Sequence, residues 1–170
     1  MIKIKEFKDY NLKVTWKLLY LGFRGDTLFK DQFSANDILD YAIEQLESEN
    51  CDKLVYELAN EQESDSEEIS KLLEKLSINE NLNELELRKL RAVIMLKHLA
   101  VKNKNFINGL MELGDLYIQL NFPKDSPHII QGRNNNITPD QYYTKENYDN
   151  LYKKHLLWLK NEIKFIQQNQ

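Results

Sequence analysis

Carboxylates are the most concentrated chemistry-bearing groups in this chain. Five acidic residues stand within eight positions: Glu61, Glu63, Asp65, Glu67 and Glu68. A hydrolytic acid/base pair needs a pocket whose environments push two carboxyl pKa values apart. In a polar run, by contrast, every carboxylate is exposed to water, and no pocket separates their pKa values. We therefore predict a solvated acidic loop over residues 61–67, and we keep a carboxylate hydrolase only as the weaker alternative.

Other side chains that perform catalysis or bind metals are scattered. His98, His128 and His155 stand far from one another, and none has another His or Cys three or four residues away. The acidic residues flanking Cys51 disfavour a thiolate nucleophile. No glycine-rich phosphate-binding motif and no Gly-x-Ser-x-Gly motif is found. We expect no catalytic residue, no metal and no cofactor, and hence a protein that is not an enzyme.

Charge is distributed unevenly along the chain. The formal net charge is −4, yet residues 44–86 carry 14 Asp/Glu against 3 Lys/Arg, a net charge of −11. Such a region attracts a basic partner and accelerates association by roughly 10–1,000-fold. The alternative is an ordinary set of solvated helix faces. Basic residues in the C-terminal half are too dispersed to indicate a nucleic-acid interface.

Composition sets the class of protein. At 170 residues the chain is expected to form one domain, and five glycines with three prolines disfavour an all-β fold. A single cysteine excludes an intramolecular disulfide and suits a reducing cytosol. We find neither a signal-peptide pattern nor 18 uninterrupted apolar residues. These features predict a cytoplasmic protein without a membrane-spanning segment.

Apolar spacing predicts an all-α fold: a single compact domain of six or seven helices, some paired as short hairpins, with a long C-terminal helix. Helices are expected after Thr15 and Ser34, which should cap them, around 54–59 and 69–76, and over 82–102, 106–120 and 144–168. Gly22 or Gly25 is expected to end the first helix in a left-handed conformation. The alternating start of the chain predicts a short strand or an extended arm within residues 1–12.

Residues 121–143 are expected to be an irregular connection. This connection begins within the stretch "LNFPKDSPHIIQGRNNN" (120–136), in which Pro123 should end the preceding helix. Asp125 or Ser126 is expected to cap a short turn, which Gly132 would close. We interpret the stretch as a joint between helices; the alternative is an enzyme site built around His128.

Aromatic residues also fall in this connection. Tyr142 and Tyr143 are adjacent in a stretch rich in proline and asparagine. Amphipathic aromatics of this kind suit a protein interface, although packing explains them equally well.

Several segments together resemble one bacterial family, domain of unknown function 2247. They are "VTWKLLYLGF", "ANDILDYAIEQLES", "DKLVYELA", "LYIQLNFPKDSPHII" and "TKENYDNLYKKHLLWLKNEI". The resemblance covers about residues 12–165. The chain departs from the family pattern at Gln119, where an acidic residue is usual, and around residues 131–133. The resemblance implies a small cytosolic bacterial protein, similar in size and style to immunity proteins encoded beside secreted toxins.

These observations favour a protein-binding module over an enzyme. The most specific hypothesis is an immunity-type protein that neutralises a cognate toxin through its acidic surface. The expected partner-binding residues are the five carboxylates between Glu61 and Glu68, together with Tyr142 and Tyr143. A helical adaptor or scaffold that binds through its helix faces is the principal alternative.

Overall fold

A computed structural model of the chain describes residues 1–25, 29, 31–47, 52–80, 83–121, 123 and 125–170. In these residues there are nine α-helices, one π-helical turn and no β-strand. The helices are α1 (Ile4–Asp9), α2 (Trp16–Tyr20), α3 (Ala35–Gln45), α4 (Lys53–Ala59), α5 (Ser66–Ser77), α6 (Asn83–Leu99), α7 (Phe106–Gln119), α8 (Pro139–Tyr142) and α9 (Lys145–Asn169). The predicted all-α class and the long C-terminal helix are confirmed.

Two short helices, α1 and α8, were not expected from the sequence. The extended arm predicted within residues 1–12 is wrong, because residues 4–9 form α1. Ile4 and Phe7 are three residues apart and both are buried, so the alternating pattern is one face of a helical turn. The Glu6 carboxylate accepts a hydrogen bond from the Lys3 backbone N–H at 2.6 Å and caps the start of this helix.

The described chain contains two compact units, residues 1–93 with 166–170 and residues 94–165. The first unit holds α1 to α5 and the beginning of α6. Within it α3 packs against α4 and α4 against α5, so consecutive helices form short hairpins. Its core includes the tilted ring pair of Phe7 and Phe33, whose centroids are 5.8 Å apart. Ile38, Leu58 and Leu73 of the same unit are also fully buried.

Helix starts in the first unit follow the predicted capping residues. The Thr15 side chain accepts a hydrogen bond from the Leu18 N–H at 3.1 Å. Ser34 Oγ accepts from the Asp37 N–H at 3.2 Å, and Asp37 Oδ2 accepts from the Ser34 N–H at 3.4 Å. Both caps satisfy backbone donors that have no partner inside their own helix. The capping prediction is confirmed at both positions.

The structure decides between the two predicted ends of the first helix. The chain continues through Gly22 as a π-helical turn, Leu21–Gly25, so helical structure ends at Gly25 and not at Gly22. A Cβ atom added to Gly22 would lie only 2.4 Å from the Phe33 ring. The glycine is therefore needed because an aromatic ring lies against its backbone, not because the turn requires a positive φ.

The second unit contains α7, α8 and most of α9. Gly109 on α7 admits the Tyr148 ring of α9, since a Cβ there would lie 2.4 Å from that ring. The Tyr148 hydroxyl accepts a hydrogen bond from the Asn103 N–H at 3.0 Å, and the Tyr152 hydroxyl donates to the Leu99 carbonyl at 2.6 Å. These bonds fix the loop between α6 and α7 to α9.

Membrane spanning requires a long apolar helix. In the part of the chain that the structure describes, no helix has both the length and the apolar character needed to cross a bilayer.

Candidate functional site

The predicted acidic loop and the start of α5 form one continuous acidic segment, which we define as Glu61, Glu63, Asp65, Glu67 and Glu68. Residues 61–65 form the loop, and α5 begins at Ser66. Glu67 and Glu68 therefore lie in the first turn of α5, where the helix macrodipole favours negative charge. The acidic segment belongs to the first unit.

Three carboxylates of the acidic segment, those of Glu63, Asp65 and Glu67, are exposed, and those of Glu61 and Glu68 are half-buried. Glu68 Oε2 forms an ion pair of 3.1 Å with Lys71. Among the described residues, no lysine or arginine lies within ion-pair distance of Glu61, Glu63 or Glu67. The Ser64 hydroxyl donates a hydrogen bond to Asp65 at 3.2 Å. The segment thus presents carboxylate oxygens to solvent.

An open concavity of about 700 Å³ lies against the acidic segment. Its lining consists of Arg24, Glu61, Ser64, Asp65, Ser66, Glu67, Glu68 and Lys71. Four of its carboxylates belong to the acidic segment, whereas its cationic groups are Arg24 and Lys71. The carboxylate oxygens of this surface can accept hydrogen bonds from cationic groups, and one of them already accepts the hydrogen bond from the Ser64 hydroxyl.

The two tyrosines predicted to contact a partner have different environments. Tyr142 is 5% exposed, and burial together with the neighbouring Tyr143 raises the pKa of its hydroxyl. The two rings pack edge to face with centroids 5.1 Å apart. Tyr143 is 39% exposed. Burial makes Tyr142 a packing residue, so only Tyr143 of this pair presents its ring at the surface.

The stretch "LNFPKDSPHIIQGRNNN" is irregular where the structure describes it. The short helical turn predicted after Asp125 or Ser126 is not formed, since residues 126–130 have no helical structure. The Ser126 hydroxyl instead accepts a hydrogen bond from the His128 N–H at 3.3 Å. Gly132 adopts φ +73°, a left-handed conformation typical of glycine.

Asn135 organises the loop that follows. Its Nδ2 donates to the carbonyls of Ile130 and Arg133 at 2.8 and 2.9 Å. Its Oδ1 accepts from the N–H groups of Gly132 and Ile137 at 3.1 and 3.2 Å. One side chain thus replaces the backbone hydrogen bonds that a helix would supply.

His128 and His155 form a buried pair that sequence spacing did not indicate. Nδ1 of His128 lies 3.2 Å from Nε2 of His155, and the side chains are 8% and 2% exposed. The Tyr117 ring packs on His128 with centroids 4.8 Å apart. Burial lowers the pKa of each imidazole to about 4, and the neighbouring His128 further lowers that of His155. Both rings are therefore neutral at pH 7.

The geometry of this pair is that of a hydrogen bond. The ring centroids are 5.4 Å apart, 2.2 Å more than the facing nitrogens, so the two nitrogens point almost directly at each other. One imidazole donates its N–H and the other accepts. Within the described residues, no further His, Cys, Asp or Glu joins the pair to make a three-ligand metal site.

Two polar residues close to His128 in the sequence, Asp125 and Arg133, have different surroundings. Asp125 Oδ2 accepts a hydrogen bond from the Trp158 indole N–H at 3.1 Å. Arg133 is exposed and lines a concavity of about 510 Å³ that also borders Tyr117 and His128. Cys51 lies outside the described residues.

A buried ion pair in the first unit was also not predicted. Lys89 and Glu86 on α6 are 3.1 Å apart, and both side chains are fully buried. The Lys89 ammonium also donates to the Lys13 carbonyl at 2.8 Å. Burial raises the pKa of Glu86, while the Lys89 ammonium and the Thr15 hydroxyl oppose that rise. Both charged groups are therefore held inside the first unit, away from solvent.

The sequence places the chain in a known family. A family model described as "Uncharacterized protein conserved in bacteria" (DUF2247) matches residues 4–163, so the chain belongs to that family. The predicted resemblance is thereby confirmed. No curated protein and no solved structure matches the chain.

Proposed function

We propose that this member of the bacterial DUF2247 family is a non-enzymatic protein-binding module whose acidic segment binds a basic protein. In its most specific form, the proposal is an immunity-type protein that acts in the cytoplasm and neutralises a cognate toxin by covering that toxin's basic active-site surface. Tyr143 is proposed as an additional contact on the second unit.

The observation that carries this proposal is the set of exposed carboxylates around the open concavity. Glu61, Glu63 and Glu67 have no ion-pair partner among the described residues. A basic protein surface pairs with such groups without first breaking internal salt bridges. Toxins that act on nucleic acids carry basic surfaces of this kind.

Electrostatic complementarity would also make partner binding by the acidic segment selective and fast. Like-charge surfaces are rejected, whereas a basic partner is steered towards the acidic segment. An interaction of this origin weakens as ionic strength rises, because salt screens charges at the rim of an interface. Binding of the partner should therefore be strongest at low salt.

Charge reversal of the acidic segment tests the proposal. The variant Glu61→Lys/Glu63→Lys/Glu67→Lys should lose protection when the chain is co-expressed with the toxin encoded beside its gene. It should also lose binding of the purified toxin in calorimetry. Glu63 and Glu67 are exposed and Glu61 is half-buried, and none of the three belongs to the core, so we expect folding to be retained.

A matched control separates a local effect from net charge. Asp9, Asp40 and Glu146 are exposed and have no ion-pair partner among the described residues, and their reversal to Lys changes the net charge equally. The control should protect and bind like the wild type. Full binding by the first variant, or equal loss in the control, would refute the acidic segment as the interface. Full binding by the first variant would favour a helical adaptor that binds through other faces.

A further inference from the structure

The outer side of α9 carries a row of exposed basic and apolar side chains. We define this α9 lysine face as Lys153, Leu157, Lys160 and Lys164. Their spacings of four, three and four residues place them within an arc of about 60° around the helix axis, over a length of about 16 Å. The face lies opposite the buried His155 and Glu162, so it points away from the core of the second unit.

The lysines of the α9 lysine face have no carboxylate partner. Near the start of α9, Lys145 pairs with Asp149 at 2.7 Å. Beyond Asp149, the only acidic residue of α9 is Glu162, which is buried. Among the described residues, no lysine of the face has an ion-pair partner. Lys160 and Lys164 are four residues apart, and like charges at this spacing destabilise a helix. The stability of the helix therefore does not explain this row of charges.

Exposed apolar side chains lie among these charges. Leu157 is 61% exposed inside the row, and the adjacent Leu156 is 43% exposed. Lys154 adds a fourth exposed lysine beside the row, and it too has no ion-pair partner among the described residues. The outer side of α9 is thus basic and apolar at once, with an exposed leucine between ammonium groups.

We propose that the α9 lysine face binds the surface of a membrane that contains anionic lipids. The ammonium groups contact lipid phosphates, and the Leu157 side chain enters the boundary between headgroups and acyl chains. Lysine suits this position because its long stem packs along apolar surface while its charge stays in water. Clusters of about four to eight basic residues on an amphipathic helix are typical of proteins that bind anionic lipids.

The residue types favour a lipid surface over a protein or a nucleic acid. Protein interfaces are enriched in arginine and depleted in lysine, whereas the basic residues on this side of α9 are all lysines. A phosphate backbone gains nothing from exposed leucines, and proteins that bind single strands use aromatic side chains on which bases stack. A bilayer surface offers phosphates and apolar chains within a few ångströms of each other, which matches both kinds of side chain.

The expected binding is weak, reversible and sensitive to salt. Each lysine near an anionic surface strengthens binding by about fivefold. Screening limits the attraction to about 8 Å at physiological ionic strength, so the local charge of the face matters more than the net charge of the chain. The membrane proposal does not involve the acidic segment, and failure of one proposal leaves the other standing.

Vesicle co-sedimentation tests the proposal on the full chain. The wild type should bind vesicles of equimolar phosphatidylcholine and phosphatidylglycerol, and should not bind phosphatidylcholine alone. Added salt should release it. The variant Lys153→Gln/Lys160→Gln/Lys164→Gln should bind the anionic vesicles about 100-fold more weakly. Leu157→Ser should weaken binding about fivefold through lost apolar burial. All four side chains are exposed, so we expect folding to be retained, and circular dichroism checks it.

A matched control separates the face from net charge. Lys5, Lys75 and Lys104 are exposed and have no ion-pair partner among the described residues. Their combined replacement by glutamine should leave vesicle binding unchanged. Equal loss in this control, or a wild type that does not sediment with the anionic vesicles, would overturn the proposal. Binding of polyuridylate without binding of vesicles would overturn it in favour of a nucleic-acid surface.

A dye that reports the polarity of its surroundings tests insertion of Leu157. In a Cys51→Ser background, the dye attached to Leu157→Cys should shift its emission to the blue when the anionic vesicles are added. Ile43 on α3 is also exposed, and the dye on Ile43→Cys should not shift. A bound chain whose dye at position 157 stays in water would contradict the proposed contact.

Discussion

Replacing Lys89 by methionine should destabilise the first unit strongly, although the two side chains are similar in length. The Lys89 ammonium contacts the Glu86 carboxylate at 3.1 Å and the Lys13 carbonyl at 2.8 Å, and both members of the ion pair are fully buried. Methionine fills the space but leaves the carboxylate and the carbonyl without this donor. The loss is therefore electrostatic rather than steric.

The expected loss of stability is the cost of removing one partner of a buried ion pair. Such a change costs about 3–5 kcal/mol, and a chain of this length loses about 2–4 °C in melting temperature per kcal/mol. We expect the melting temperature of Lys89→Met to fall by about 6–20 °C. Lys89→Met combined with Glu86→Leu removes both charges, and much of the loss should be recovered because no carboxylate is then buried alone.

A pH dependence distinguishes this mechanism from poor packing. Burial already raises the pKa of Glu86, and loss of the Lys89 ammonium raises it further. The folded variant then takes up a proton at a pH where the unfolded chain is still ionised. Its stability deficit should therefore shrink as pH falls from 8 towards 5.

The assay is urea unfolding of the wild type, Lys89→Met and the double variant at both pH values. A deficit below about 1 kcal/mol would refute the reasoning, since surface pairs give values of that size. A deficit that is independent of pH and is not reduced by Glu86→Leu would refute it as well.

Three further predictions concern the histidine pair, a glycine and the organised loop. Because the pKa values of His128 and His155 are lowered to about 4 in the folded state, the unfolded chain binds more protons between about pH 6.5 and 4. Stability should therefore fall by about 2–4 kcal/mol between pH 7.5 and 5.0 in urea unfolding, and His128→Leu should flatten that slope. Gly22→Ala should destabilise by about 1–3 kcal/mol in thermal unfolding, because its Cβ would meet the Phe33 ring. Asn135→Ala should cost about 1–3 kcal/mol and speed hydrogen exchange of the Gly132 N–H, because four loop hydrogen bonds depend on this side chain.

Each of these predictions has a control in the chain. His98 is exposed, so His98→Leu should keep the wild-type pH slope. Gly114→Ala has no close neighbour and should stabilise the monomer, the opposite sign to Gly22→Ala. Asn134→Ala changes an exposed asparagine beside Asn135 and tests whether the loss belongs to the side-chain bonds. Because φ at Asn134 is +59°, that control carries a strain cost, and it should nevertheless leave exchange at Gly132 slow.

Local features of the fold could be predicted from the sequence. The caps at Thr15 and Ser34 depend on residues within three positions, and the apolar stripes of α3, α5 and α9 depend on spacing along one helix. These interactions are visible in the sequence because the chain itself holds the partners close. The exposure of carboxylates between Glu61 and Glu68 could also be predicted from the sequence, because a polar run near a helix start is solvated wherever the helix lies.

Features that depend on distant residues could not be predicted. His128 and His155 are 27 positions apart and meet only through packing. Glu86 and Lys89 have the spacing of an ordinary surface pair on a helix, and the sequence does not show that α6 buries that face. The sequence offers Gly22 as a helix end, but the Phe33 ring that requires this glycine lies 11 positions away. In all three cases the structure depends on a tertiary contact, which the spacing of residues along the sequence does not show.

The end of α9 has a consequence for folding during synthesis. Gln167 donates to the Tyr10 carbonyl at 2.7 Å, and Gln170 both donates to the Asn11 carbonyl at 2.6 Å and accepts from the Lys13 N–H at 2.7 Å. Residues 166–170 belong to the first unit but are translated after the whole second unit. The first unit therefore cannot close its last contacts until these residues have left the ribosome. These three hydrogen bonds join residues 157 or 159 positions apart, and contacts of such sequence separation form slowly.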